Sequence, residues 1–178
     1  MARTVSIGTQ DFEKMIQRTC FYVDKTGFIK EWWESEDEVT LITRPRRFGK
    51  TLNMSMLNCF FSNKYADRGE LFEKLEIWKD EKYRELQGTY PVIFLSFAEI
   101  KQNNYQDTIA KIKKILCSLY QSFMFLKDWD GLTDEEKNNL KRISEDMSDV
   151  TAQSALNELS NYLSRYYGKK VIILLDEY

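Results

Sequence analysis

Three consecutive residues, Gly49, Lys50 and Thr51, have side chains and a spacing that could hold a phosphate group. A glycine lets backbone N–H groups approach a phosphate closely, the lysine reaches its outer oxygens, and the hydroxyl binds Mg²⁺. The general motif is GxxxxGK[ST]; this chain reads RPRRFGKT, with Arg44 at the position of the first glycine. The tripeptide alone occurs by chance in roughly one chain in ten of this length, so its meaning depends on its setting.

A second candidate group is the pair Asp176 and Glu177, which follows the apolar run Val171 to Leu175. In nucleotide-hydrolysing proteins with a phosphate loop, an aspartate after a buried strand holds the metal ion. A glutamate beside it would act as the general base. On this interpretation Asp176 binds Mg²⁺ with Thr51, and Glu177 and Lys50 are the catalytic residues. The alternative is a buried strand that simply ends in solvated acids.

The residues around the tripeptide would complete the phosphate site. Arg44 in place of a glycine predicts an altered path for the loop, which Pro45 would stiffen. The arginines could bind phosphate oxygens, supply charge to a transition state, hold nucleic acid, or lie in solvent. We interpret the Phe48 side chain as a packing residue rather than an adenine stacker. The residues expected to bind the nucleotide are Arg46, Arg47, Phe48, Gly49, Lys50, Thr51 and Leu52.

A phosphate loop needs a strand before it and a helix after it, and the sequence predicts both. The run Val39 to Thr43 is β-branched and nearly all apolar, as in a strand buried on both faces. From Lys50 onward, apolar residues recur every three or four positions, which predicts a helix with one buried stripe. The first N–H groups and the dipole of such a helix form an anion site.

The rest of the chain alternates between the same two patterns. Strands are predicted at Tyr90 to Phe97 and at Val171 to Leu175. Strands that alternate with helices predict an α/β fold with a mainly parallel sheet flanked by helices, and functional loops belong at the carboxyl ends of its strands. Helices are predicted over Gly8 to Arg18 behind an N-cap at Thr9, around Phe28 to Trp33, over Asp107 to Phe125, over Thr133 to Ile143 with a T-x-x-E capping box, and over Thr151 to Tyr167 before Gly168.

Composition limits the other chemistries. The chain has 178 residues, a formal net charge of −2 and no histidine. The missing histidine excludes Ser/His and Cys/His catalytic pairs and histidine-containing zinc sites. The three cysteines, Cys20, Cys59 and Cys117, lie far apart, which indicates reduced, buried thiols. Residues 1–10 have no apolar core of a signal peptide, and no apolar run approaches the roughly 20 residues of a membrane span. We therefore expect a cytoplasmic protein with no membrane partner.

Four stretches, FYVDKTGFI, LITRPRRFGKTLNMSML, YPVIFLSF and VIILLDEY, together resemble the AAA-ATPase-like family of bacterial and archaeal proteins. The resemblance covers nearly the whole chain, and RPRRFGKT is the family's own spelling of the phosphate loop. It implies that the chain binds ATP with Mg²⁺ and is an ATPase in full-length form. The family's module usually precedes a nuclease-like domain of the PD-(D/E)XK type. The resemblance therefore implies that domain as a partner, and nucleic acid as a partner through it.

Within this family, residues 1–178 would be the N-terminal part of a P-loop NTPase-like domain that is incomplete at its C-terminus. We expect residues 1–38 to be a helical lead-in and residues 39–178 to be the core as far as the Asp176–Glu177 pair. If the division with the catalytic glutamate applies, a later strand separates the phosphate-loop strand from the Asp-Glu strand. Without it, the gap is filled by rearrangement or by a second molecule, or the two strands pair directly. Because an unpaired apolar edge promotes association, we expect a homo-oligomer or a domain swap.

The residues before and within the helix predicted around Phe28 to Trp33 have more than one possible role. Asp24 precedes a helix and is a candidate N-cap, whereas the functional alternative is a nucleotide base pocket that includes Phe21 and Tyr22. One of Trp32 and Trp33 should enter the core.

At the level of the whole chain, a Mg²⁺-dependent ATPase that regulates or powers a nuclease-like domain is the leading hypothesis. The alternatives are a nucleotide-sensing switch that does not hydrolyse, an inactive fragment, and a nucleic-acid-binding module that uses the arginine-rich loop. The net charge of −2 argues against the last.

Overall fold

The structure is a computed structural model that describes residues 8–18, 20–43, 45 and 48–177. The chain divides into two compact units, Met1–Val92 and Ile93–Tyr178. Helices and strands are both present, which agrees with the α/β class in its coarse form. Within the described ranges, no helix combines the length and the apolar character that crossing a membrane requires.

The first unit is almost entirely helical. Its α-helices are joined by short 3₁₀ helices at Asn63–Tyr65, Gly69–Leu71 and Glu76–Lys79, and its one described strand-like pairing is a parallel bridge between Ser62 and Tyr90. The α-helices are α1 (Phe12–Gln17), α2 (Gly27–Glu34), α3 (Lys50–Phe61) and α4 (Glu81–Leu86).

An aromatic cluster forms the core of the first unit. The ring of Phe72 stacks on Phe12 at 5.2 Å and meets Phe60 edge-to-face at the same separation. The ring of Phe61 lies 5.3 Å from both Trp32 and Trp33. Offset and edge-to-face pairs at these distances add to the free energy gained by burying the rings. Helix α3, which follows the candidate phosphate loop, is anchored through its C-terminal half.

The second unit contains the sheet. Strand β1 (Val92–Ser96) pairs with strand β2 (Ile172–Asp176) in a parallel two-stranded sheet. Between them along the chain lie α5 (Tyr105–Gln121), a 3₁₀ helix (Met124–Asp128), α6 (Asp134–Arg142) and α7 (Asp149–Tyr167).

One continuous apolar core joins the sheet to α5 and α7 in the second unit. Ile93 and Leu95 of β1 pack in it with Leu159 and Leu163 of α7. The Tyr120 hydroxyl of α5 donates a 2.7 Å hydrogen bond to the Ala155 carbonyl of α7, which satisfies a buried polar group. The core therefore fixes β1 and α7, the elements that lead to β2 and its carboxyl end.

The prediction of a strand at Val39 to Thr43 is wrong. These residues form no strand, and the side chains of Val39 and Leu41 are 88% and 63% exposed. A strand is stabilised by ladder hydrogen bonds to a neighbour as well as by apolar burial, and this segment has no ladder partner in the described part of the chain. Trp32 of α2 instead donates a 3.1 Å hydrogen bond from Nε1 to the Thr40 hydroxyl.

Most predicted helices are confirmed, with corrections at their starts. The N-cap of α1 is Asp11, not Thr9, and its carboxylate accepts a hydrogen bond from the Lys14 amide at 3.0 Å. The N-cap of α2 is Thr26, not Asp24. The predicted capping box of α6 is present, and α7 ends at Gly168 in the left-handed conformation. Trp32 and Trp33 are both half-buried against the core, rather than one inside and one outside.

The three cysteines are free, as predicted, but only one is buried. Cys59 of α3 is 1% exposed, and burial raises the pKa of its thiol to about 12. Cys20 and Cys117 are half-buried. The prediction of buried thiols is therefore correct only for Cys59.

Candidate functional site

The candidate phosphate loop meets α3 at Gly49, and the backbone there has a special conformation. Gly49 has φ 78° and ψ 21°, in the left-handed region that side chains with a Cβ avoid. It is the N-cap of α3, and its carbonyl accepts the first helical hydrogen bond, from the Asn53 amide at 2.9 Å. The N–H groups at the start of a helix point outward along its axis. The sharp turn at Gly49 therefore places the loop at the anion-binding end of α3.

The residues after Gly49 occupy the first turn of α3, as the sequence predicts. Lys50, Thr51 and Leu52 are half-buried there. Phe48, by contrast, is 62% exposed, so the interpretation of its side chain as a packing residue is wrong. Pro45 is also exposed. The remaining loop residues of the prediction, Arg44, Arg46 and Arg47, lie outside the described residues.

A second lysine lies beside the loop, and sequence reasoning did not assign it a role. A Cβ atom built on Gly49 would lie 3.8 Å from Nζ of Lys25, which is the one atom within 4 Å of that position among the described residues other than Phe48, Gly49 and Lys50. Lys25 precedes α2 in the stretch FYVDKTGFI. Its side chain is exposed, and in the described part of the chain it forms no ion pair. The ammonium group therefore faces the loop across the open side of Gly49.

The residues on either side of Lys25 are held by a set of hydrogen bonds that we name the Asp24–Thr26 clamp. Asp24 Oδ1 accepts hydrogen bonds from the Thr26 amide at 2.8 Å and the Thr26 hydroxyl at 2.7 Å. Asp24 Oδ2 accepts one from the Glu76 amide at 2.7 Å, and Thr26 Oγ1 accepts one from the Ile77 amide at 3.2 Å. The clamp thus joins residues 24–26 to the 3₁₀ helix Glu76–Lys79.

The clamp also affects the charge state of the Asp24 carboxylate. Partial burial raises the pKa of Asp24, but hydrogen bonds from Glu76 and Thr26, together with the charge of Lys79, outweigh this and leave the pKa below its ordinary value. Asp24 is therefore ionised at neutral pH, and the positive charge of Lys79 contributes to this.

Tyr22 connects this region to α3. Its hydroxyl lies 3.3 Å from the Met56 sulfur of α3, and its ring meets Phe12 edge-to-face at 5.6 Å. Burial raises the pKa of Tyr22 to about 12, and a hydrogen bond from the Lys25 backbone acts in the opposite direction. Because its ring is engaged with Phe12, Tyr22 is a packing residue. Phe21 is 53% exposed, so of the two aromatic residues it is the one accessible to a base.

The second candidate group lies at the carboxyl end of β2. Asp176 is the last residue of the strand and is 4% exposed, while its carbonyl accepts a hydrogen bond from the Phe97 amide at 2.9 Å. Glu177 is exposed and has φ 53°, in the left-handed region that is uncommon for residues with a Cβ. The chain therefore turns sharply at Glu177, directly after the strand, and holds two neighbouring carboxylates in different environments.

Comparison with protein families shows the family of the chain. A family model described as a predicted AAA-ATPase matches residues 6–178. The chain belongs to the AAA-ATPase-like family. The match includes the Gly49 loop, residues 24–26 and the Asp176–Glu177 pair within one family domain.

Among curated proteins, the chain is similar to one from Azotobacter chroococcum mcd 1 named "Uncharacterized protein in vnfD 5'region". The two are 27% identical over 177 residues, which is 99% of this chain and 29% of that protein. The chain therefore spans less than a third of the length of this relative. No solved structure gives a significant match.

The predicted metal ligands of this chain, Thr51 and Asp176, are both oxygen donors. No cluster of three or more histidine, cysteine, aspartate or glutamate side chains that could hold a metal occurs among the described residues. Mg²⁺ usually binds through one or two protein oxygens and completes its shell with water and substrate phosphates. The Thr51 hydroxyl and the Asp176 carboxylate are donors of this hard-oxygen type.

Proposed function

We propose that this chain is an ATP-binding module that hydrolyses ATP with Mg²⁺ and regulates or powers a further, nuclease-like domain. The observation that carries the proposal is the left-handed Gly49 at the start of α3, followed by Lys50 and Thr51 in the first turn. Membership of the AAA-ATPase-like family supports ATP as the nucleotide.

On this proposal each residue has one role. The N–H groups at the start of α3 and the Lys50 ammonium bind the phosphate oxygens. Thr51 and Asp176 supply oxygen ligands to Mg²⁺, which when bound neutralises charge on the phosphates. Glu177 takes a proton from the attacking water. The exposure of Glu177 fits a residue that must meet water, and the burial of Asp176 fits a carboxylate held in one orientation.

The binding step is tested with Lys50→Ala. We expect the affinity for ATP in the presence of Mg²⁺ to fall by about 10- to 100-fold, because the variant removes a charged hydrogen-bond donor to phosphate. Isothermal titration calorimetry measures the affinity. The matched control is Lys30→Ala, which removes an exposed lysine from α2 and should bind like the wild type. Unchanged affinity in Lys50→Ala would show that the loop is not the phosphate site.

The hydrolysis step is tested with Glu177→Gln. We expect ATP binding to persist and turnover to fall by roughly 10²- to 10⁴-fold, since the amide cannot act as a general base. Release of inorganic phosphate measures turnover, and Glu99→Gln, which changes an exposed glutamate of the same unit, is the control. Turnover equal to that of the wild type would remove Glu177 from the mechanism. A wild-type chain that binds ATP without releasing phosphate would favour the nucleotide-sensing switch.

We also propose that copies of the chain associate in solution. The support is the apolar face of β2, where Ile173 and Leu175 are 41% and 37% exposed. Light scattering tests this, and a clean monomer at high concentration would contradict it.

A further inference from the structure

We propose that Lys25 is a second phosphate-binding lysine, which contacts the polyphosphate of the bound nucleotide beside Gly49. This inference rests on the proposed function of the Gly49 loop and adds a binding residue to it.

The first observation is position. The Lys25 ammonium lies 3.8 Å from the place where a Cβ would stand on Gly49. Because Gly49 has no side chain, no side-chain atom of residue 49 lies between the Lys25 ammonium and the backbone at the start of α3. A phosphate bound to the N–H groups of α3 would therefore lie within reach of a flexible lysine side chain, whose three donors can turn toward it.

The second observation is that the backbone of Lys25 is fixed although its side chain is exposed. The Asp24–Thr26 clamp holds the residues before and after it, and the side chain of Thr26 is fully buried. The Lys25 carbonyl accepts a hydrogen bond from the Phe28 amide at 3.0 Å. A lysine on a fixed backbone loses less conformational entropy when it binds a ligand than one on a mobile loop.

The third observation is charge. Asp24 is the nearest carboxylate along the chain. Both of its oxygens accept hydrogen bonds of the clamp, and the charge of Lys79 also stabilises its ionised form. Lys25 and Lys50 thus bring two ammonium groups to one loop of a chain whose overall charge is −2. Concentrating cations at one point raises affinity for a polyanion without making the whole surface basic.

The test compares two probes, ATP and inorganic tripolyphosphate, each with Mg²⁺. Tripolyphosphate has the phosphate chain but no base or sugar. Lys25→Gln removes the charge and keeps most of the side-chain length, and Lys25→Arg keeps the charge. Affinities for both probes are measured by calorimetry for these variants, for Lys50→Ala and for the control Lys30→Ala.

We expect Lys25→Gln to weaken both ATP and tripolyphosphate by about tenfold and to reduce the salt dependence of binding, since one charge contact is lost. Lys25→Arg should remain close to the wild type, and Lys30→Ala should match it. The melting temperature without ligand should be unchanged in Lys25→Gln, which separates a binding role from a structural one.

Three results would overturn the inference. Affinity in Lys25→Gln equal to that in Lys30→Ala, with binding lost in Lys50→Ala, would reject Lys25 and leave the proposed function standing. Weaker binding of ATP but not of tripolyphosphate would place Lys25 at the base or sugar instead. Unchanged binding in Lys50→Ala would reject the loop itself, and with it both proposals.

Discussion

Two short, largely apolar segments of this chain have different structures. Val39 to Thr43 precedes the Gly49 loop, and Val171 to Leu175 precedes Asp176. In the first, Leu41 is 63% exposed and the residues form no strand; in the second, Leu174 is 4% exposed and lies in β2. Strand β2 has a ladder partner in β1. An apolar run therefore becomes a strand only where the fold supplies a neighbour.

The difference also concerns how each candidate site is supported. Asp176 is fixed from the strand before it, because β2 pairs with β1 and Leu95 of β1 lies in the apolar core with Leu163. The Gly49 loop is fixed from the helix after it, since α3 is anchored by Phe60 and Phe61 in the aromatic cluster. One site is held at its N-terminal side and the other at its C-terminal side. Substitutions before the two sites should therefore have unequal effects.

The largest expected effect tests this inequality directly. Leu174→Ala should lower the free energy of unfolding by about 2–4 kcal/mol, because it leaves a cavity in a buried position. Leu41→Ala, the matched change in the exposed segment, should lower it by less than about 0.5 kcal/mol. Urea titration followed by circular dichroism measures both. A Leu41→Ala cost as large as that of Leu174→Ala would mean that the segment is a buried strand after all.

Smaller effects on stability are expected at Gly49 and Glu177, two positions of positive φ at the candidate sites. Gly49→Ala should cost about 1 kcal/mol of stability, because alanine is strained at a positive φ. Glu177→Gly should change stability by less than about 0.5 kcal/mol, because relief of backbone strain is offset by the extra entropy of glycine in the unfolded chain. Thermal and urea unfolding measure the two differences. A large loss in Glu177→Gly would show that its side chain makes stabilising contacts.

Features with local causes could be predicted from the sequence. The capping box at Thr133, the left-handed Gly168 and the helical period of α5 and α7 all depend on residues within a few positions of each other. Strand β1 is also predictable, because the run at Tyr90 to Phe97 is apolar, short and has Pro91 at its start.

Features that depend on contacts between distant parts of the sequence could not be predicted. The pairing that makes β2 a strand and leaves Val39 to Thr43 without one depends on which segments meet in the fold. The sequence does not identify the N-cap of α1, because Thr9 and Asp11 are both acceptable caps and only the folded structure chooses between them. The sequence predicts the structural role of Asp24 only in part. An Asp-x-Thr sequence suggests the local turn, but not the bond to Glu76, 52 residues away.

The candidate site was predicted to a similar degree. Gly49, Lys50 and Thr51 lie at the start of a helix, as the motif requires. Lys25 was not assigned a role, because its nearness to Gly49 is a contact across 24 positions of sequence that no periodicity reports. The signal that could have found it is the Asp-x-Thr pair, which marks a residue held on a fixed backbone. The binding roles of all these residues stay predictions.

The Asp24–Thr26 clamp has a consequence for hydrogen exchange. A 3₁₀ helix of four residues would ordinarily exchange its amide hydrogens with solvent rapidly, because such short helices open easily. Here the acceptors for the Glu76 and Ile77 amides are the side chains of Asp24 and Thr26. These amides exchange only when the hydrogen bonds of the clamp break. Their exchange rates thus record how often residues 24–26 and the 3₁₀ helix Glu76–Lys79 separate.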